Sequence, residues 1–447
     1  MPGAKAFVRT RTTFSRRACA ARLFALLAGR VMGAPHVTHK TRLLVAAAIL
    51  GSLAAGVASA ADWPQFRGPE RDGTSAETGL LDAWPPGGPR LVTTLDGVGE
   101  GFSSPVVAAG KVFVTGRVGD DTYVFSFDAA DGRPLWRAAC GSEFTKAWPG
   151  SRSTPTVDGG SLYVLTGNGR LTALVAETGQ KTWSLDILEQ FGGKRPMYGV
   201  AESVLVAGDL VVCTPGGPDA SLAALDARTG RTVWTSKGLG DEGGYASPVV
   251  MEHGGVRQVV TLTSKGLVSV ALADGKPLWR FTDFFSGLMA ENILTPIVRG
   301  DCVFAEGGHY SGGGVVRLET AGGAVVPKPL WKKPGGSTHL GGYVQRDGFL
   351  YGETGRGWGC IDFADGRTCY RAKEIRGVST LWADGRFYCL DEKGVVYLVE
   401  ADPKAYRLAG QVKIPNAGSQ TWAYPAISGA RLYVRRLEKV FVYDVAK

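Results

Sequence analysis

Ala224-Leu225-Asp226-Ala227-Arg228-Thr229-Gly230-Arg231-Thr232-Val233-Trp234 is the stretch on which the fold of this chain turns. Its pattern is A-x-D-x-x-T-G-x-x-x-W: a β-prone segment, an Asp-to-Gly turn, and a second segment ending in tryptophan. The spacing returns as Asp128…Asp131-Gly132…Trp136, Thr178-Gly179…Trp183, Asp274-Gly275…Trp279 and Asp362…Asp365-Gly366…Tyr370, with a looser copy ending at Trp331. Ahead of each copy stands a short S-x-P-x-V segment, a turn and an alternating strand. Ser103-Ser104-Pro105-Val106-Val107 precedes Lys111-Val112-Phe113-Val114, and Ser153-Thr154-Pro155-Thr156-Val157 precedes Leu162-Tyr163-Val164. Further starts near Ser203, Ser247, Thr295, Gly341, Ser379 and Tyr424 make eight units. They recur roughly every 40–50 residues, and four short strands at that period are the mark of a propeller blade. The sequence therefore predicts an all-β, eight-bladed propeller of four-stranded antiparallel blades.

Ring closure can be predicted from the two ends of the repeat. The eighth unit ends at Val440-Phe441-Val442-Tyr443-Asp444, one strand short, and Pro89-Arg90-Leu91-Val92-Thr93 precedes unit one where the missing strand should sit. An N-terminal strand closing the last blade would leave no exposed sheet edge. Trp136, Trp183, Trp234, Trp279, Trp331 and, in the same place, Tyr370 are expected to be structural. Each should dock its ring on the Gly turn of a neighbouring blade, where the missing Cβ leaves room for an indole. The Asp should cap its own turn through its side chain.

The 50 Lys+Arg and 41 Asp+Glu give a formal +9, but the excess is confined to the first 60 residues, which hold nine basic groups and no acidic one. The remaining chain is neutral, which removes the case for a nucleic-acid partner. Leu43 to Val57 form a short apolar run behind His39, Lys40 and Arg42 and ahead of Ala58-Ser59-Ala60. This is the pattern of a secretory signal peptide cleaved after Ala60, with Met32 as the start. The expected organisation is an extension and signal peptide over 1–60, an N-terminal segment over 61–88 and the propeller over 89–447. The protein is expected to be periplasmic or secreted, with no stable membrane span after cleavage. Six cysteines follow the leader, and Cys360 and Cys369, flanking one predicted hairpin, are the first candidates for a disulfide.

The turns inside each blade are short on one face. The opposite face receives the longer loops, and function concentrates on such loops. Residues just before each innermost strand should point at the central funnel: Arg152, Tyr198, Glu202, Tyr245, Glu291, Asn292, Arg376 and Trp422, with His339 beside them and His309 and Arg356 on neighbouring loops. This mixed polar and aromatic rim suits a small ligand or a partner protein. Three dispersed histidines after the leader argue against a histidine metal site, and no nucleophile elbow, Walker loop or zincin motif is present.

The A-x-D-x-x-T-G-x-x-x-W repeat in eight blades resembles the pyrroloquinoline-quinone-like repeat family of the quinoprotein alcohol dehydrogenase superfamily. The segment Asp62-Trp63-Pro64-Gln65-Phe66-Arg67-Gly68-Pro69 is similar to the opening of a secreted bacterial subfamily found in planctomycetes. The resemblance implies two functional branches. One consists of enzymes oxidising alcohols, with the quinone (PQQ) in the funnel over Ca2+, an Asp base and often an adjacent-cysteine disulfide. The other resembles the propeller lipoprotein of the outer-membrane barrel-assembly machine, a scaffold without a cofactor. This chain has no adjacent cysteine pair, and Glu291-Asn292 offers calcium-type oxygens that match no family ligand position. The leading expectation is an exported binding or scaffold module with an envelope protein or small ligand at the funnel face and no catalytic residue. The alternative is a PQQ-dependent alcohol or polymer dehydrogenase.

Overall fold

A computed structural model describes residues 62–148, 150–285, 291–308, 311–334, 342–415 and 420–447. The predicted signal peptide, His309 and His339 lie outside the described residues. Eight four-stranded sheets form, each antiparallel, and seven of them are each the work of one repeat. Blade one comprises Val106–Ala108, Lys111–Val118, Asp121–Asp128 and Pro134–Ser142. Blades two to seven open with Thr156–Asp158, Leu205–Ala207, Val249–His253, Ile297–Arg299, Val344–Arg346 and Val378–Ala383. Each start follows its S-x-P-x-V signal or that signal's worn copy. The alternating residues of the middle strands are buried because both faces of a blade meet neighbouring blades. Val112 and Val114 pack with Val434 and Val440 across the seam between blades one and eight.

Blade eight confirms the predicted closure. Ala426–Ser428, Arg431–Arg436 and Lys439–Asp444 are completed by Arg90–Asp96, which extends the strand expected at 89–93. Arg90 pairs with Asp444, Thr94 with Phe441 and Asp96 with Lys439. Ion pairs mark both ends, Arg90 to Asp444 at 2.6 Å and Lys439 to Asp96 at 2.5 Å.

Four repeat tryptophans reach the next blade. Trp136, Trp183, Trp234 and Trp331 donate their indole N–H to Glu177, Ala227, Leu272 and Phe363 carbonyls at 2.8–3.0 Å. Each ring lies over the turn glycine that follows, Gly179, Gly230, Gly275 or Gly366. Asp226 caps its turn as the pattern predicts, accepting from Thr229 N–H at 2.8 Å. Trp279 and Tyr370 depart from the expectation. Trp279 donates to Gln258 within its own blade at 2.7 Å, since blade five replaces the Asp-Gly turn with a long hairpin through Gly322 and Gly323. Tyr370 packs in the blade-six and blade-seven core, where a longer loop stands in place of the turn.

Gly230 is confined twice over. It sits at φ +70°, and an added Cβ would lie 2.8 Å from the Trp183 ring. Gly230→Ala is expected to cost about 2–3 kcal/mol, combining left-handed strain with overpacking. Urea denaturation of the variant checks this, and a cost below about 0.5 kcal/mol would mean that the turn shifts freely.

All six cysteines among the described residues are free thiols, the candidate pair Cys360 and Cys369 included. Cys360 pairs in register with Tyr370, and Cys369 falls at the β-bulge of the hairpin, where its thiol donates to the Arg367 carbonyl at 3.9 Å.

The segment before the closing strand is built into the wheel. In a propeller the first strands surround the axis and present one edge inward, where backbone groups lack a sheet partner. Residues from Asp62 to Ser75 supply partners at the tight-turn end. Trp63 and Val107 exchange backbone hydrogen bonds at 2.7 and 2.9 Å, Val157 N–H donates to Pro64 at 2.8 Å, and Trp382 N–H donates to Gly73 at 2.8 Å. Arg71 donates to the Ser203 and Val204 carbonyls at 2.6 and 3.0 Å. Across the axis, Arg67 donates to the Tyr343 carbonyl at 2.5 Å. Both guanidiniums are almost wholly buried, at 2% and 3% exposure. This N-terminal plug thus ties blades one, two, three, six and seven together.

Candidate functional site

The first strands begin on the loop-rich face, and their leading residues form a continuous belt. Tyr424 N–H donates to Ser104 Oγ at 2.9 Å, Ser104 N–H to Thr154 Oγ1 at 2.9 Å, Thr154 N–H to Ser203 Oγ at 3.0 Å, and Ser203 N–H to Ser247 Oγ at 2.9 Å. The belt passes from blade eight through blade four and accounts for the hydroxyl residue in the S-x-P-x-V signal.

Above the plug and belt opens a cup of about 390 Å3. Phe66, carried by the plug, meets Tyr424 edge-on at 5.0 Å, and both line the cup. One wall is a cluster in which Trp422 lies 4.8 Å from Phe102 and 4.9 Å from Trp148. The facing wall carries Tyr198 and Tyr245, with centroids 6.2 Å apart. Tyr245 takes a hydrogen bond from Tyr198 N–H at 3.3 Å, and burial raises its phenol pKa above the ordinary value. Glu291 lines the same cup.

Arg152 shapes the loop that presents Trp148. Its guanidinium donates to the carbonyls of Ala147 at 2.5 Å, Trp148 at 2.7 Å and Gly150 at 3.1 Å, and stands over the Phe144 ring at 5.3 Å. Trp148 holds the left-handed conformation at φ 47°, costly for an aromatic residue, and keeps 46% of its surface exposed. Burial lowers the Arg152 pKa, with Glu143 and Tyr245 acting against it.

Of the residues expected at the funnel, Arg152, Tyr198, Tyr245, Glu291 and Trp422 converge on the cup. Glu202 and Asn292 do not: both are buried behind it. Asn292 donates to the Thr263 carbonyl at 2.6 Å, bracing blade four. Arg356 and Arg376 are exposed and outside the lining, Arg376 turning back to the Lys373 carbonyl at 3.1 Å. Sequence reasoning missed Phe66, Phe102, Trp148 and the hydroxyl belt. The signal was present in the S-x-P-x-V repeat and in the opening motif, but neither shows which side chains face the axis.

Glu202 accepts from Thr214 N–H at 2.7 Å. Burial raises its pKa from 4.5 to about 7, against the lowering effects of Thr214 and nearby Arg71. A carboxyl whose folded pKa is raised contributes its stability below the unfolded pKa and loses it as pH rises through the folded one. Between pH 4.5 and about 7 the protein is therefore expected to lose about 3 kcal/mol through this group. Glu202→Gln should flatten that stretch of the stability–pH curve. Parallel curves for wild type and variant would show that Glu202 does not carry the dependence.

The quinone branch can be tested against these residues. PQQ is a flat tricarboxylate, and its calcium needs several converging oxygens. Among the described residues no group of three or more His, Cys, Asp or Glu is placed to hold a metal. Arg152 lines the cup with three of its N–H donors held by its own loop, and the lining acid, Glu291, carries the same charge sign as the quinone.

Comparison with known proteins finds similarity to propellers of both branches. The family profile described as outer membrane protein assembly factor BamB matches residues 84–193 and 121–372. BamB of Burkholderia pseudomallei is 26% identical over 343 residues, covering 74% of this chain and 81% of that protein. The quinoprotein alcohol dehydrogenase PedH of Pseudomonas putida is 27% identical over 221 residues, covering 47% of this chain and 33% of the enzyme. The chain thus spans a third of that dehydrogenase's length. The quinohemoprotein alcohol dehydrogenase of Comamonas testosteroni shares the fold at a TM-score of 0.61 and 14% identity, covering 88% of this chain and 82% of that one.

Proposed function

This chain belongs to the outer membrane protein assembly factor BamB family of propellers, and from that premise we propose that it is a binding module of the bacterial envelope, without chemistry of its own. The funnel cup on the loop-rich face is its binding site. The observation that carries this reading is the cup itself. Aromatic side chains from the plug and from the segments leading into blades one, two, three, four and eight converge there on a rigid hydroxyl belt. Such a surface favours recognition over turnover. An exported location agrees with the signal pattern before Ala60 and with the relatives' printed role in outer-membrane assembly. No helix among the described residues is long and apolar enough to cross a membrane.

Affinity capture from envelope extract with wild type and the Trp422→Ala/Arg152→Ala variant tests the reading. Wild type is expected to retain one or more components that the variant loses, both proteins melting at similar temperatures. Identical capture by the two would remove the cup as the binding site. Calorimetric titration with PQQ and Ca2+, followed by a dye-linked alcohol oxidation assay, tests the dehydrogenase alternative. Submicromolar binding with turnover would displace the present reading.

A further inference from the structure

We propose that the cup is a subsite for a neutral saccharide, one pyranose face stacked on the Trp148–Trp422 wall and the ring oxygens seated on the hydroxyl belt. The proposal rests on the reading of the cup as the binding site and adds the chemistry of what enters it.

Three observations converge. The first is the belt. Ser104, Thr154, Ser203 and Ser247 line the cup, are at most 3% exposed, and each takes a backbone N–H from the preceding blade. A hydroxyl carries one donor proton besides its lone pairs. Among the described residues none of these four donates to a protein acceptor, whereas the neighbouring Ser103 and Ser379 hydroxyls do, to Thr115 and Ala423. Four buried donors on one arc ask for a ligand rich in acceptor oxygens.

The second observation is charge. Arg152 and Glu291 both line the cup, and their opposite charges offset each other, so the lining carries no excess positive charge to draw an anion. Glu291 lines the cup as a carboxylate, able to accept from a ligand hydroxyl and unfavourable to negative charge on the ligand. A ligand with many acceptor oxygens, several O–H donors and no net charge is a polyol.

The third is the aromatic wall. Trp148 is 46% exposed at the mouth of the cup, held there in a strained backbone conformation by Arg152. A pyranose ring presents an apolar C–H face to such an indole while its edge carries the hydroxyls. The volume of about 390 Å3 lies in the range of small-molecule sites.

The test is titration of the purified exported chain, followed by tryptophan fluorescence and calorimetry, with maltose, cellobiose and N,N′-diacetylchitobiose. Digalacturonate serves as the anionic counterpart. At least one neutral disaccharide is expected to saturate the signal below about 10 mM, with digalacturonate at least tenfold weaker. Trp148→Ala should weaken the neutral sugar at least tenfold at an unchanged melting temperature. Glu291→Gln should weaken it while narrowing the gap to digalacturonate. No saturation by any of the three neutral sugars, tighter binding of digalacturonate, or indifference to Trp148→Ala would each overturn the proposal. Envelope capture that still depends on Trp422 and Arg152 while the sugars fail would remove the saccharide alone. Failure of both would remove the cup as a binding site.

Discussion

Arg435→Ala is expected to destabilise the protein by about 3–5 kcal/mol, the largest effect of any single truncation at the seam between first and last blades. Arg435 is wholly buried, and burial lowers its pKa to about 9. Its guanidinium donates to the carbonyls of Leu437 at 2.9 Å, Ser103 at 3.1 Å, Thr115 at 2.6 Å and Gly99 at 3.1 Å, and to Ser103 Oγ at 2.5 Å. One side chain of blade eight therefore satisfies acceptors on blade one and on the segment that joins the closing strand to it. Alanine removes the guanidinium donors from those carbonyls, leaving Thr115 with Ser103 Oγ–H, and opens a cavity beside them. Arg435→Lys should recover only part of the loss, because a single ammonium cannot reach acceptors spread around the edge of the planar guanidinium. Urea denaturation measures both variants, and a loss below about 1 kcal/mol for alanine would show that water takes over the guanidinium's place.

A chain beginning at Gly97 is expected to lose cooperative folding altogether. It lacks the fourth strand of blade eight and the whole plug. Lys439–Asp444 would then present an unpaired edge, and inward-facing groups such as Val107 N–H, Val157 N–H and the Ser203 carbonyl would lose their partners. Exposed edges of this kind also promote aggregation. Size-exclusion chromatography and the steepness of the urea transition report the outcome. A monomeric, cooperatively unfolding truncation would mean that the wheel closes without its latch. A version beginning at Gly88 keeps Arg90–Asp96 and separates the two contributions: recovery of cooperativity there would assign the loss to the latch rather than the plug.

Much of the architecture was legible because a propeller blade is a local object. The Asp226-to-Trp234 unit encodes a turn and two strands through residues close in sequence, and copies of it repeat a decision already made. The missing strand after Asp444 and the spare one near Arg90 could be matched by counting. Trp279 and Tyr370 were misjudged for the complementary reason. Their docking depends on the turn of the following blade, and in blades five and seven that turn had been replaced. The candidate site was half legible. Arg152, Tyr198, Tyr245, Glu291 and Trp422 stand just before first strands and reach the cup, while Glu202 and Asn292 share that position but turn behind it.

The repeat by itself determined the number of blades, the order of strands within them and the latch, since each follows from hydrogen-bonding periods and turn chemistry that act over a few residues. Only the tertiary structure decided that Arg67, Arg71 and Arg435 are interior, that the opening motif fills the axis, and that Phe66, Trp148 and Trp422 meet around one cup. The physical reason is ring closure. An arginine becomes worth burying only when carbonyls from distant blades surround it, and those carbonyls come together only once the last blade has met the first.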